Sequence, residues 1–137
     1  MGDADHIENV ADQASTILLV EDDALLRVAT ADHLRQKGYR VVEAGTVVEA
    51  AMVLSSGPHV SLVLTDVDLP GAMGGLSLVV WTHTHYPAIP VIVTSGVEAV
   101  MPALSSQKAV PFLAKPFDFE VLSTLVADTI AKSTSHD

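Results

Sequence analysis

The sequence predicts an α/β fold built on a doubly wound sheet of five parallel strands, and three observations carry that prediction. Short apolar segments alternate with amphipathic ones along the chain. The apolar segments, such as Ile17–Val20 and Val91–Val93, are uniformly apolar, so both of their faces are covered. The amphipathic segments between them are long enough for the right-handed crossovers that join parallel strands.

The elements follow in order. Residues 1–15 are polar and acidic with weak periodicity and read as a mobile tail. Ser15–Val20 reads as a buried strand. Asp23–Lys37 reads as a helix with Leu26, Ala29 and Leu34 on one face, ended by Gly38. Tyr39–Glu43 is a short strand. Thr46 caps a helix that runs through Leu54, with Ala50, Ala51 and Leu54 inward, and Ser56-Gly57-Pro58 stops it. Val60–Thr65 is a continuous apolar strand. Gly74–His83 is a poorer helix with two glycines at its start. Pro90–Thr94 is a strand, Val97–Ser105 a fourth helix interrupted near Pro102, and Ala109–Ala114 the fifth strand. Asp118 caps a fifth helix with Leu122, Leu125, Val126 and Thr129 inward.

Length and composition agree with one packed domain. The 137 residues are 49% hydrophobic, and the mean hydropathy is +0.40. A chain of this size buries a real core. No apolar run approaches the roughly 18 residues of a membrane span. The start, Met1-Gly2-Asp3-Ala4-Asp5, has no basic stretch and does not read as a secretion signal. There is no cysteine, which excludes disulfides and thiolate metal sites and fits a reducing cytoplasm. The net charge of −10 repels phosphate backbones, so direct nucleic-acid binding is not expected.

In a doubly wound sheet, ligands bind outside the carboxyl ends of the strands. The first strand ends Val20-Glu21-Asp22-Asp23 and the third ends Thr65-Asp66. The fourth ends Val93-Thr94-Ser95-Gly96, and the fifth ends Ala114-Lys115-Pro116. One edge therefore collects an acid cluster, a single acid, a hydroxyl and an ammonium. Crowded carboxylates call for a hard, oxygen-loving cation such as Mg²⁺. A carboxylate beside that cation can attack phosphorus. The cation, a hydroxyl and an ammonium can each stabilise one of the three phosphoryl oxygens.

The segments LLVEDD, LVLTDVDLPG, PVIVTSG and FLAKPF stand in the order and at the intervals of one family. Over about residues 16–132 the chain resembles the receiver domain of two-component response regulators, with a short C-terminal tail at 133–137. The resemblance implies the flavodoxin-like receiver fold of five strands and five helices. It implies Mg²⁺ at Glu21, Asp22, Asp66 and the main-chain carbonyl of Asp68. It implies Asp66 as phosphoacceptor, Thr94 as the hydroxyl that turns toward the phosphoryl, Lys115 as its counter-charge, and a cis bond at Lys115-Pro116. Thr94 and Phe112 fall on the family's switch positions. Such a protein is not a dedicated enzyme, but it catalyses its own phosphorylation and dephosphorylation. Its partners are a histidine kinase or a histidine phosphotransfer protein and a downstream protein. The resemblance also allows a homodimer through the face of the fourth helix, fifth strand and fifth helix. With no basic recognition helix in the chain, output is expected through another protein or a phosphorelay.

Some positions depart from the family pattern. Phe112 replaces a frequent Tyr and brings no hydroxyl. GAMGGLSL has glycine where an acidic turn residue is usual. Gly96 leaves the path of an attacking water open, which implies a phosphoryl lifetime of minutes rather than days. Asp23 reads as a helix cap rather than a ligand, and Thr65 as packing. His83 and His85 read as an exposed helix end, and His6, His33, His59 and His136 show no ligand grouping. Trp81 reads as a surface or partner contact. Two alternatives stand beside this reading. One is a degenerate receiver acting as a non-catalytic interaction module. The other is a phosphatase of the haloacid-dehalogenase type, whose Asp-x-Asp motif TDVDLP also resembles.

Overall fold

A computed structural model describes residues 14–68, 74–96 and 110–134. Five strands, β1 (Thr16–Val20), β2 (Arg40–Ala44), β3 (Leu62–Asp66), β4 (Val91–Ser95) and β5 (Phe112–Ala114), form one sheet in the order β2-β1-β3-β4-β5. Every pairing is parallel. The described helices are α1 (Ala24–Gln36), α2 (Val47–Ser56), α3 (Gly74–His85) and α4 (Phe119–Thr134). The helix expected at Val97–Ser105 lies outside the described residues, as do the tail before residue 14, the Pro70-Gly71 turn, His6 and His136.

The three central strands β1, β3 and β4 are buried at every residue. That is why they are apolar throughout: two layers of helix cover the sheet. On one face Val20, Val63, Val91 and Val93 pack with Val47 and Ala50 of α2 and Leu78 and Val79 of α3. On the other, Ile17, Leu19, Leu62, Leu64 and Ile92 pack with Ala31 and Leu34 of α1 and Leu122 and Val126 of α4. The edge strands are less covered. Only Ala44 of β2 is buried, and no residue of β5 is.

The helix starts follow local chemistry. The Asp23 carboxylate accepts the N–H groups of Leu25 at 3.0 Å and Leu26 at 3.2 Å. Thr46 accepts that of Glu49, and Asp118 those of Glu120 and Val121. Helix α1 ends at Gly38, whose φ of +100° is open to glycine without strain.

Two expectations from periodicity need correction. Ala29 is exposed, and the core face of α1 is Thr30, Ala31 and Leu34. At 3.6 residues per turn Ala29 lies about 140° around the helix from Leu34, off the face that meets the core; on the α4 side His33 stacks on Phe119 with ring centroids 5.2 Å apart. Trp81 is half-buried against the valine-rich cluster, not displayed on the surface. Its ring meets His85 at 4.9 Å and Tyr86 at 5.7 Å. His85 Nδ1 lies 3.0 Å from the Trp81 carbonyl, so that histidine finishes the last turn of α3.

Ile92 is fully buried at the centre of the sheet. Ile92→Ala is expected to cost about 2–5 kcal/mol in urea unfolding, the range for deleting a buried branched side chain. Val48→Ala, on the exposed face of α2, is expected to shift stability by less than about 0.5 kcal/mol.

Candidate functional site

The parallel ladder brings the four strand ends to one edge. Thr65 pairs with Val20, Asp66 with Thr94, and Ser95 with Ala114. Consequently Glu21, Asp66, Ser95 and Lys115, scattered across the sequence, sit next to one another.

Two of the acids are buried, Glu21 at 4% and Asp66 at 3% exposure. Each is held in the same way. Glu21 Oε2 accepts the Asp23 N–H at 3.0 Å, and Asp66 Oδ1 accepts the Asp68 N–H at 2.8 Å. In both, a carboxylate turns back onto the backbone two residues on, as acids do at turns. The remaining oxygens point to one ammonium: Lys115 Nζ lies 2.8 Å from Glu21 Oε1 and 3.0 Å from Asp66 Oδ2. Asp22 is exposed, and one oxygen from each of Glu21, Asp22 and Asp66 lies within 4.8 Å of the others.

Burial is the largest influence on the charged groups of the site. Burial pushes the Glu21 carboxyl above the usual range, even though the Lys115 and Asp23 bonds pull it down. Burial pulls Lys115 down, but its hydrogen bonds to Glu21 and Asp66 outweigh this and its pKa is raised. Among the described residues, Glu21 and Asp66 share the Lys115 ammonium, with the exposed Asp22 beside them.

Most site residues expected from the sequence converge here. Asp23 is committed to capping α1. Thr94 is buried beside Asp66, and Thr65 is buried with its hydroxyl on the Asp66 carbonyl. Phe112 is half-buried against the valine-rich cluster, opposite Val93 on the ladder. The Lys115-Pro116 bond is cis.

Two residues at the site had escaped sequence reasoning. Arg27 Nη1 donates to the Glu21 carbonyl at 2.8 Å, and its Nε lies 3.4 Å from Glu43 Oε1. Ser95 Oγ donates to the Asp68 carboxylate, at 2.9 Å to Oδ1 and 3.1 Å to Oδ2, and the Gly96 N–H donates to Oδ2 at 2.9 Å. Arg27 was hidden on a helix whose pattern speaks only of packing. Ser95 could have been found from the ladder register, since it follows the partner of Asp66.

The sequence model described as the response regulator receiver domain matches residues 17–127. Response regulator protein FleR of Pseudomonas aeruginosa is 39% identical over 116 residues, covering 83% of this chain and 24% of FleR. Sensor kinase CckA of Brucella abortus is 34% identical over 122 residues, covering 87% of this chain and 13% of CckA. The chain thus spans a quarter or less of these relatives. Among solved structures, the receiver domain of the hybrid histidine kinase CckA superposes with a TM-score of 0.70 at 30% identity, covering 85% of this chain and 99% of that one. A response regulator receiver protein from Sinorhizobium medicae gives 0.81 at 26% identity, covering 88% and 98%.

Excess negative charge at the cluster opposes folding when no divalent ion is present. Asp22→Asn is therefore expected to raise the melting temperature in EDTA. The gain should be larger in dilute buffer than in 1 M salt, where the screening length falls to about 3 Å. Thermal melts at both salt concentrations check it, and a lowered melting temperature in dilute buffer refutes it.

Proposed function

The chain belongs to the response regulator receiver domain family of two-component signalling, and from that premise we propose that Asp66 accepts a phosphoryl group from a histidine kinase or histidine phosphotransfer protein. The observation that carries this reading is the setting of Asp66. It is a buried carboxylate, oriented by the Asp68 N–H and Lys115, at the edge of an acidic cluster.

The donor set suits Mg²⁺. It consists of hard carboxylate oxygens held close together with too little positive charge around them. Glu21, Asp22, Asp66 and the main-chain carbonyl of Asp68 would hold the ion, which when bound neutralises the cluster and stabilises phosphoryl charge. The chain's own residues do the rest. One Asp66 oxygen attacks phosphorus and forms an O–P bond while the donor's bond to phosphorus breaks. With acetyl phosphate as donor, acetate leaves. Lys115, already on Asp66, pairs with a phosphoryl oxygen, and the Thr94 hydroxyl turns to another.

Signalling follows from the same contacts. Thr94 moving toward the phosphoryl vacates space beside Phe112, and the ring turns inward. The β5 edge and α4 then present a changed surface to a downstream protein. Phosphorylation biases two arrangements of one element rather than building a new one. The segment at 97–109 that would complete this face, and any homodimer through it, lies outside the described residues.

Acetyl phosphate labelling tests the chemistry. Labelling should require Mg²⁺, stop in excess EDTA and disappear in Asp66→Asn. A protein that never labels is instead the non-catalytic interaction module. An adduct that forms at full rate in EDTA removes the metal.

The switch has its own test. Thr94→Ala should still label, yet partner affinity should no longer respond to phosphorylation. An unchanged response in that variant breaks the link between Thr94 and output. Gly96 bears on lifetime: a β-carbon there would lie 4.0 Å from both Asp68 Oδ2 and Lys115 Cβ. Gly96→Tyr should therefore cover the site and lengthen a parent lifetime of minutes. A variant adduct that decays no more slowly in Mg²⁺ overturns that role.

A further inference from the structure

The Asp68 side chain stands apart from the other acids of the site. Its N–H is bonded to the nucleophile Asp66, so the residue begins at the reacting group. Its carboxylate, however, reaches across to the end of β4. There it accepts two contacts from the Ser95 hydroxyl and one from the Gly96 N–H. Ser95 is itself anchored: it is 1% exposed, and its carbonyl accepts the Lys115 N–H at 2.9 Å. A buried hydroxyl on a central strand thus grips a carboxylate on an exposed residue. None of the cluster acids Glu21, Asp22 and Asp66 is held from β4 in the described residues.

From this geometry we infer that Ser95 is a positioning residue for phosphoryl transfer, clasping the Asp68 carboxylate against β4 and away from the approach to Asp66. The inference rests on the phosphoacceptor reading and adds to it a residue that controls access. Phosphoryl donors are anions. Glu21 and Asp22 already make the approach negative, and the Lys115 charge is shared between Glu21 and Asp66. A fourth carboxylate free to swing over the site would repel the donor and compete for Lys115. Hydrogen bonds from a hydroxyl and a main-chain N–H fix its position and draw off part of its charge. The clasped carboxylate lies against Gly96, where a β-carbon would meet its Oδ2 at 4.0 Å.

The clasp acts through the charge of Asp68, which separates it from a general packing role. The experiment measures initial rates of acetyl phosphate labelling, at saturating Mg²⁺, in the parent, Ser95→Ala, Asp68→Asn and the double variant. Ser95→Ala should label more slowly by about fivefold, the scale of one charge–charge interaction in a partly exposed site. The deficit should shrink as salt is raised and vanish when Asp68→Asn is also present. Melting temperatures of the four proteins establish that each is folded. Ser95→Ala labelling at the parent rate overturns the clasp. So does a slowdown that persists in the double variant or ignores salt, because Ser95 would then act by packing alone. A parent that fails to label at all overturns the phosphoacceptor reading, and the clasp with it.

Discussion

Lys115 stands between two carboxylates that the fold has removed from water, and the site depends on that contact. An unpaired buried charge costs several kcal/mol, and a pair offsets the cost only with good geometry and additional hydrogen bonds. Glu21 and Asp66 have both. Each keeps one oxygen on Lys115 and the other on a backbone N–H two residues further along. One ammonium cannot neutralise two buried carboxylates and the exposed Asp22 beside them. Burial, more than the neighbouring charges, raises the Glu21 carboxyl. A site held short of positive charge is prepared for a divalent cation.

The rest of the architecture serves to place that ammonium. Lys115 follows the short edge strand β5, whose main chain is tied to β4 by the Lys115 N–H on the Ser95 carbonyl. β4 in turn lies against β3 with Thr94 opposite Asp66. Glu21 leaves β1 on the far side of β3, where Arg27 of α1 holds its carbonyl. The strands that supply the acids are covered on both faces. The β5 edge is only half covered, and this is the side that carries Phe112. Full cover beneath Asp66 and half cover at Phe112 suit the proposed division between a reacting acid and a signalling face.

Asp68 links these regions. Its N–H orients Asp66, while its carboxylate is bound to Ser95 and Gly96, directly after Thr94. The proposed chemistry and the proposed switch thus meet on one short stretch of β4.

The sequence by itself determined the fold class, because uniformly apolar strands separated by amphipathic helices leave little choice but a parallel sheet covered on both faces. It also determined the local devices: the caps at Asp23, Thr46 and Asp118, the stop at Gly38, and the acids and lysine at strand ends. Caps and turns form between neighbours, so a local pattern reports them faithfully. Only the tertiary structure decided which of those groups meet. Lys115 touches Glu21 across 94 positions, and Ser95 reaches Asp68 across 27. Neither contact leaves a trace in periodicity, because it depends on ladder register, which is set by packing of the whole sheet. The same reason explains Ala29 and Trp81. Periodicity says that a helix has an apolar face, but the neighbouring elements determine how far that face turns and which of its residues are covered.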